Sequence, residues 1–445
     1  MNTWAKNAIT YHLFPLGSTD APECNDFVSE LSERLNTLHD WLPYLGELGV
    51  NTLLLGPVLE SRSHGYDTAD LFTVDRRLGT NGDLKALIAA CHARGLKVML
   101  DAVFNHVGRD FWAFRDVQKL GAASPYHDWF FLDFSAPNPA GDAFSYEGWN
   151  GHFDLVKLNT AHPEVREHLF SAARLWLQDF DADGLRLDAA DVLDREFQRD
   201  LAGVCHEAKP DCWLLGEVIH GDYREWAGPE KLDTTTNYEL YKGLYSSHND
   251  RNYFELAHTL KRQFGEGGIY RDLQLYTFAD NHDVPRVAST LNEPAHLHPL
   301  HILLLTMPGA PSLYYGSEWG VTGEKAPTSD APLRPPLTPE TLESVGRHPD
   351  LFPVVQELIK LRRELPALGC GDYYEQHAAS EQLVFTRTWE DETVLVAVNA
   401  SCETVALELP VLAGSTWTDL LNPGETSGTR LELPPTWGRI MSKER

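Results

Sequence analysis

The sequence predicts an α/β protein: a (β/α)8 barrel of the TIM type, with a lobe inserted after its third strand and an antiparallel β-sandwich at its C-terminal end. Three observations lead there. Between residues 8 and 315, short apolar runs alternate with longer stretches of helical periodicity, the pattern of repeated β–α units around a parallel sheet; eight such units favour closure over an open sheet. Residues 104–158 interrupt the alternation with a long aromatic-rich segment. Past residue 369 the period changes to two and helical patterns stop.

In chain order, apolar runs at 9–13, 50–55 and 96–101 supply the first three strands. Helical patterns at 27–48 and 83–94 connect them, and a loop holding His64, Gly65, Tyr66 and Asp67 follows the second. The inserted segment carries Phe111, Trp112, Phe114, Tyr126, Trp129, Phe130, Phe131, Phe144, Tyr146 and Trp149. Some of these rings must form the lobe's own small core, and together they can line a groove over a cleft. A helix begins at Pro163, a residue suited to a first turn, and keeps Val165, Leu169, Ala172, Trp176 and Phe180 at helical spacing to 180. Runs at 183–188, 212–217, 232–236, 273–278 and 311–315 supply strands four to eight, with a helix at 195–208 after the fourth. A Pro/Gly-rich loop leads to a helix at 351–365, and strands at 383–389, 393–399, 404–409 and 430–433 form the tail. The predicted division is 1–103 and 159–366 for the barrel, 104–158 for the lobe and 367–445 for the sandwich.

Composition narrows the function. With 42% apolar residues the chain is globular, and 37 basic against 65 acidic residues give a formal charge of -28. That charge repels phosphate backbones and anionic surfaces, so neither nucleic acid nor a membrane is an expected partner. The six cysteines (Cys24, Cys91, Cys205, Cys212, Cys370, Cys402) fall at no metal-ligand spacing and read as free thiols of a reducing compartment. Residues 1–16 lack a basic segment followed by an apolar run and a small-residue cleavage site, so a cytoplasmic location and small, imported substrates are expected.

The run Asp183-Gly184-Leu185-Arg186-Leu187-Asp188 reads as a buried strand ending in a carboxylate. Residues two apart share a face, so Leu185 and Leu187 pack under helices while Arg186 and Asp188 face a cavity. Alone, such a pair reads equally as a structural ion pair; as part of a site, the guanidinium is expected to keep Asp188 ionised. Asp101 and Glu217 also close buried runs, and Asp283 lies just past another. Parallel strands bring all four acids to the C-terminal rim of a barrel, where barrel enzymes keep their active sites. Carboxylates that close cannot all ionise normally, and a retained proton supplies an acid and a base together. Two such acids serve glycoside cleavage, one attacking the anomeric carbon and one protonating the departing oxygen. Binding a divalent metal is the alternative, weakened by the company of Arg186, His106 and His282; no metal and no cofactor is expected.

The segments Asp101-Ala102-Val103-Phe104-Asn105-His106, Gly184-Leu185-Arg186-Leu187-Asp188, Gly216-Glu217-Val218 and Phe278-Ala279-Asp280-Asn281-His282-Asp283 resemble, in order and spacing, the four signature regions of the alpha-amylase family, glycoside hydrolase family 13. Leu313-Tyr314-Tyr315-Gly316 resembles the family's eighth strand, and Leu155-Val156-Lys157-Leu158-Asn159 the fifth signature of its neopullulanase and cyclomaltodextrinase branch. The resemblance covers essentially the whole chain. It implies a retaining reaction with Asp188 as nucleophile, Glu217 as general acid/base and Asp283 as transition-state stabiliser. It also implies that Arg186 holds Asp188 anionic and that Tyr66, His64, Asp101, His106 and His282 surround the sugar at the cleaved bond. Asp330 and Arg334 resemble a pair that clamps the next sugar.

Departures bear on specificity. Relatives of this branch usually carry an N-terminal β domain, whereas here the first barrel strand is expected almost at residue 1; a homodimer through other surfaces stays open. Where they commonly have tryptophan two residues past the acid/base, this chain has Ile219, followed by His220. After the nucleophile, Asp191-Val192 stands where many members have Lys-His, which speaks against the usual calcium site. The expected function is hydrolysis of α-1,4 bonds in short or cyclic maltooligosaccharides. The alternatives are a transglycosylase or isomerase using the same three acids, and a non-catalytic sugar-binding relative.

Overall fold

The computed structural model describes residues 4–327, 329–422 and 424–443; residues 1–3 and 444–445, the ends of the predicted barrel and sandwich segments, lie outside them. Eight parallel strands form one sheet: β1 (Thr10–Leu13), β2 (Thr52–Leu55), β3 (Lys97–Ala102), β4 (Gly184–Leu187), β5 (Trp213–Gly216), β6 (Thr234–Thr235), β7 (Tyr276–Phe278) and β8 (Ala310–Tyr314). Their order is β6-β5-β4-β3-β2-β1-β8-β7, and a parallel bridge from Thr236 to Tyr276 joins the two outer strands and closes the barrel. All eight predicted strands form, six of them one to three residues shorter than their apolar runs.

Register explains why chemistry collects at one rim. Asp101 of β3 pairs with Arg186 of β4, and Leu187 pairs with Gly216 at the end of β5, so Asp188 and Glu217 leave their strands side by side. Around the sheet run helices α1 (Trp41–Leu48), α2 (Asn81–His92), α3 (Pro163–Arg174), α4 (Arg195–Ala208), α5 (Tyr238–Asn249), α6 (Tyr253–Phe264), α7 (Leu297–Thr306) and α8 (Leu351–Glu364). Thr80 opens α2 with a capping box, its side chain accepting from the Asp83 N–H while Asp83 accepts from the Thr80 N–H.

The predicted helix at 27–48 is shorter than its pattern, beginning only at Arg34. Asn25 accepts the Phe27 N–H at 2.8 Å and Asp26 accepts the Val28 and Ser29 N–H groups at 2.9 and 2.8 Å. These local turns satisfy the backbone in place of a helical turn.

The inserted segment is less irregular than its sequence suggests. It holds a helix, Trp112–Leu120, and pairs His106–Gly108 antiparallel with Leu155–Lys157. Phe114 of that helix packs edge-on against Phe130 and Tyr146, which makes the lobe's own core.

The C-terminal region forms a six-stranded antiparallel sheet from β9 (Asp372–Ala378), β10 (Gln382–Trp389), β11 (Glu392–Asn399), β13 (Thr416–Asp419), β14 (Gly424–Ser427) and β16 (Trp437–Lys443). A two-stranded ribbon of β12 (Val405–Glu408) and β15 (Arg430–Leu433) accompanies it. Alternation places Leu383, Phe385, Val394, Val396 and Val398 in the barrel-side core, while Val384, Leu395 and Ala397 face Leu407, Leu431 and Leu433 of the ribbon. The sequence reading missed β9, β13, β14 and β16; β9 has only an intermediate burial pattern along most of its length.

Candidate active site

The site is built around Arg186. Leu185 and Leu187 are fully buried in the outer core, which turns Arg186 inward, where it is 4% exposed. Its Nη1 donates to both oxygens of Asp101, at 2.8 and 3.0 Å, and to Asp188 Oδ1 at 3.1 Å. Its Nη2 lies 2.8 Å from Glu217 Oε1. One guanidinium therefore ties the acids of β3, β4 and β5 into a single cavity.

Glu217 is held from three sides. Besides Arg186, its Oε2 accepts the Ala189 N–H at 3.0 Å and its Oε1 accepts the Tyr238 hydroxyl at 3.3 Å. Ala189 has a φ of 48°, a left-handed conformation unfavourable for alanine. That turn aims its N–H at the carboxylate, an outlier of the kind functional sites accumulate. Asn281 donates to the Tyr238 oxygen at 3.2 Å and so orients the phenol.

Across the cavity, Gly65 takes a φ of 94° and places Tyr66 under the rim. The Tyr66 hydroxyl donates to Asp101 Oδ2 at 2.8 Å and meets His282 Nε2, and its ring lies parallel to His282 at 5.4 Å. The other face of His282 stacks on Phe14 at 5.5 Å. His282 Nε2 reaches Asp283 Oδ2 at 3.0 Å. Arg334 closes this side, donating to the His282 carbonyl at 3.1 Å and Asp283 Oδ1 at 3.2 Å, with Asp330 3.4 Å away.

Four carboxylates, with Asp101, Asp188 and Glu217 buried and Asp283 34% exposed at the mouth of the cavity, thus face two guanidinium groups, an excess of negative charge in a confined space. Burial raises Asp188 well above the usual carboxylate range; Arg186 opposes this, while Glu217, Asp101 and Asp283 add to it. The sequence reading expected Arg186 to hold Asp188 ionised. Its charge is divided among three acids, and it does not outweigh burial. Asp283 goes the other way: against the effect of burial, His282, Arg334 and Arg186 hold it below the normal range. Burial and repulsion thus oppose ionisation of Asp188 while Asp283 is favoured as a carboxylate, so the charge of the cavity is unevenly divided among its acids.

His106 Nε2 is buried without a partner, 3.9 Å from Asp188 Oδ2, and burial lowers its pKa to about 3. It is neutral and free to bond a ligand in the cavity. His64 differs from the other predicted residues: its side chain is 41% exposed and its Nδ1 accepts the Tyr66 N–H at 3.2 Å, while Asp283, Asp330 and Arg334 act on it electrostatically. It supports the Tyr66 turn from the rim. Sequence reasoning did not single out Tyr238, Phe14 or Trp149. Trp149 stands in the lobe with its ring 5.8 Å from that of His106. The aromatic crowding of residues 104–158 was its only signal, and nothing in the pattern around Tyr238 marks it. Among the described residues, no group of three or more His, Cys, Asp or Glu side chains is placed to hold a metal ion.

Comparison with known proteins gives the family of the chain. Residues 29–357 match the model of the alpha amylase catalytic domain, and residues 375–436 that of the maltogenic amylase C-terminal domain. The chain is 33% identical to a cyclomaltodextrinase of Geobacillus thermopakistaniensis over 97% of its own length and 76% of the relative's. It is 29% identical to the intracellular maltogenic amylase of Bacillus subtilis strain 168, over 89% of this chain and 69% of that one. Among solved structures, cyclic alpha-maltosyl-(1→6)-maltose hydrolase from Arthrobacter globiformis superposes with a TM-score of 0.86 at 26% identity, covering 99% of both chains. The chain belongs to the alpha-amylase family of glycoside hydrolases.

Proposed function

We propose that this enzyme hydrolyses α-1,4-glucosidic bonds of short or cyclic maltooligosaccharides with retention of configuration, inside the cell. The observation that carries the reading is the sharing of one guanidinium by Asp188 and Glu217, which holds both carboxyl groups at one point of the cavity. Asp188 attacks the anomeric carbon while Glu217 gives its proton to the departing glycosidic oxygen. Glu217 then takes a proton from water, which attacks the same carbon and frees Asp188. The step requires Asp188 as a carboxylate and Glu217 as the proton donor. Asp283, ionised beside His282, stabilises the positive charge that develops on the sugar. His106, Tyr66 and Asp101 bind around that ring, and Asp330 with Arg334 holds the neighbouring one.

The lobe formed by 104–158 supports small substrates, since its Trp149 stands beside His106 at the site. The names of the relatives, which include a cyclomaltodextrinase and a hydrolase of a cyclic tetrasaccharide, support the same class. The intracellular relative supports the location, and no helix among the described residues is long and apolar enough to cross a membrane.

Incubation with linear, cyclic and branched α-glucans, followed by chromatography of the products, tests the proposal. Cyclic or short substrates are expected to disappear faster than soluble starch, and the reverse order refutes the reading of the cleft. New linkages or longer chains in place of new reducing ends would assign transglycosylation instead.

A further inference from the structure

A groove of about 560 Å³ opens between the barrel and the C-terminal sheet, lined by Pro294, His298, His348, Asp350, Thr436 and Trp437 among others, and shares no residue with the catalytic cavity. Its volume falls within the range of small-molecule sites. We propose that it is a second α-glucan-binding site, with Trp437 as the stacking platform for a sugar ring.

Trp437 is held at its polar edge, where Nε1 donates to Asn422 Oδ1 at 2.7 Å, and the His298 ring lies 5.3 Å away at 49°. Half-buried and fixed, the indole lines the groove with an aromatic side chain, the kind of group that packs on the C–H face of a glucose ring. Hydrogen-bonding groups flank it: the Asp350 side chain is 64% exposed and accepts from His298 Nε2 at 3.1 Å, and His348 lies beside it in the lining. Carboxylate and imidazole groups beside an aromatic face match the hydroxyl belt and apolar face of a sugar. The exposed carboxylate and the overall charge of -28 disfavour an anionic occupant. The backbone supplies an independent sign. Thr436, immediately before the tryptophan, has a φ of 44°, left-handed and unfavourable for a β-branched residue, and is tied there by its N–H to the Ser401 carbonyl at 2.9 Å. Such outliers persist where the surrounding structure imposes them, and they gather at ligand sites.

The identity of the sugar rests on the proposed function; the groove itself does not. Calorimetric titration of the Glu217→Gln protein with maltohexaose is expected to give two binding events. The Glu217→Gln/Trp437→Ala protein should keep one, with the other weakened tenfold or more, and His348→Ala in the same background should weaken the same event should Trp437→Ala fail to fold. Trp437→Ala and His348→Ala alone should leave hydrolysis of a short chromogenic maltoside unchanged. Thr436→Gly should raise the thermal midpoint while weakening the second event. A single event insensitive to these substitutions overturns the proposal, as does a Trp437-dependent dimer in sedimentation without sugar binding. Binding that depends on Trp437 in a protein that hydrolyses no α-glucan would uphold the groove and refute the catalytic reading instead.

Discussion

Replacing Glu217 by glutamine separates acid–base chemistry from architecture. The carboxylate accepts from Arg186 Nη2 at 2.8 Å, from the Ala189 N–H at 3.0 Å and from the Tyr238 hydroxyl at 3.3 Å. The amide oxygen of glutamine can keep Arg186, but its NH2 group then faces the Ala189 N–H, donor against donor. A buried donor left without an acceptor costs about 1–3 kcal/mol, and loss of the Glu217 charge partly offsets this by relieving its repulsion with Asp188, so stability should fall by no more than about 3 kcal/mol. Loss of a general acid costs roughly 10²–10⁴ in rate, or about 2.7–5.4 kcal/mol of barrier at 1.36 kcal/mol per tenfold. The loss should depend on the leaving group. A nitrophenyl maltoside departs as a stable phenolate without needing the proton, so its first step should survive far better than that of maltotriose. The second step still lacks its base, and a burst of nitrophenol followed by slow turnover is expected in stopped-flow measurements. Because the Glu217 charge raises Asp188, the acid limb of the residual activity should also move to lower pH. Unchanged turnover of maltotriose, or equal losses on both substrates in a fully folded variant, would refute the assignment.

Other perturbations test the electrostatics and the scaffold. Asp188→Asn should abolish turnover yet raise the thermal midpoint at pH 7. Burial lifts the folded pKa of Asp188 above its unfolded value, so ionising it costs stability as pH rises through the folded pKa, and the gain should shrink as pH falls toward the unfolded carboxylate range. His301 is buried, with its Nδ1–H donated to the Leu297 carbonyl at 2.7 Å and its pKa lowered by burial to about 4. Below about 6.5 the unfolded chain binds a proton that the folded one refuses, at about 1.4 kcal/mol per pH unit. His301→Gln should therefore flatten the fall in denaturant-measured stability between pH 6.5 and 4, and an unchanged slope would show that His301 is not responsible. Gly65→Ala would place a Cβ 2.5 Å from Pro57 Cβ at a φ of 94°. Displacing the Tyr66 turn should lower kcat/KM on the order of a hundredfold, and unaltered kinetics would show that the turn does not set the site.

The acids were legible because strand periodicity and parallel topology are local rules. Asp101, Asp188 and Glu217 each close an apolar run, and parallel strands deliver run ends to one rim. Arg186 was legible for the same reason, two residues from Asp188 on one face of β4. The supporting residues were not. Tyr238 begins a helix far along the chain from Glu217, and its hydroxyl reaches that carboxylate only because β5 and β6 pair. His64 sat in the right motif but turned to the rim, where its ring accepts a backbone N–H.

By itself, then, the sequence determined the order of the eight barrel strands, the interruption after the third, the change of period at the tail, and that Arg186 and the acids at the strand ends face one cavity. All of these depend on residue spacing and on whether a face is apolar. The tertiary structure alone decided how charge is shared. Arg186 bonds three carboxylates at once, burial drives Asp188 up while His282 and Arg334 hold Asp283 down, and the Trp437 groove forms between two parts of the chain. The reason is physical: Coulombic and burial energies depend on distances and dielectric surroundings in space, which no pattern along the chain encodes.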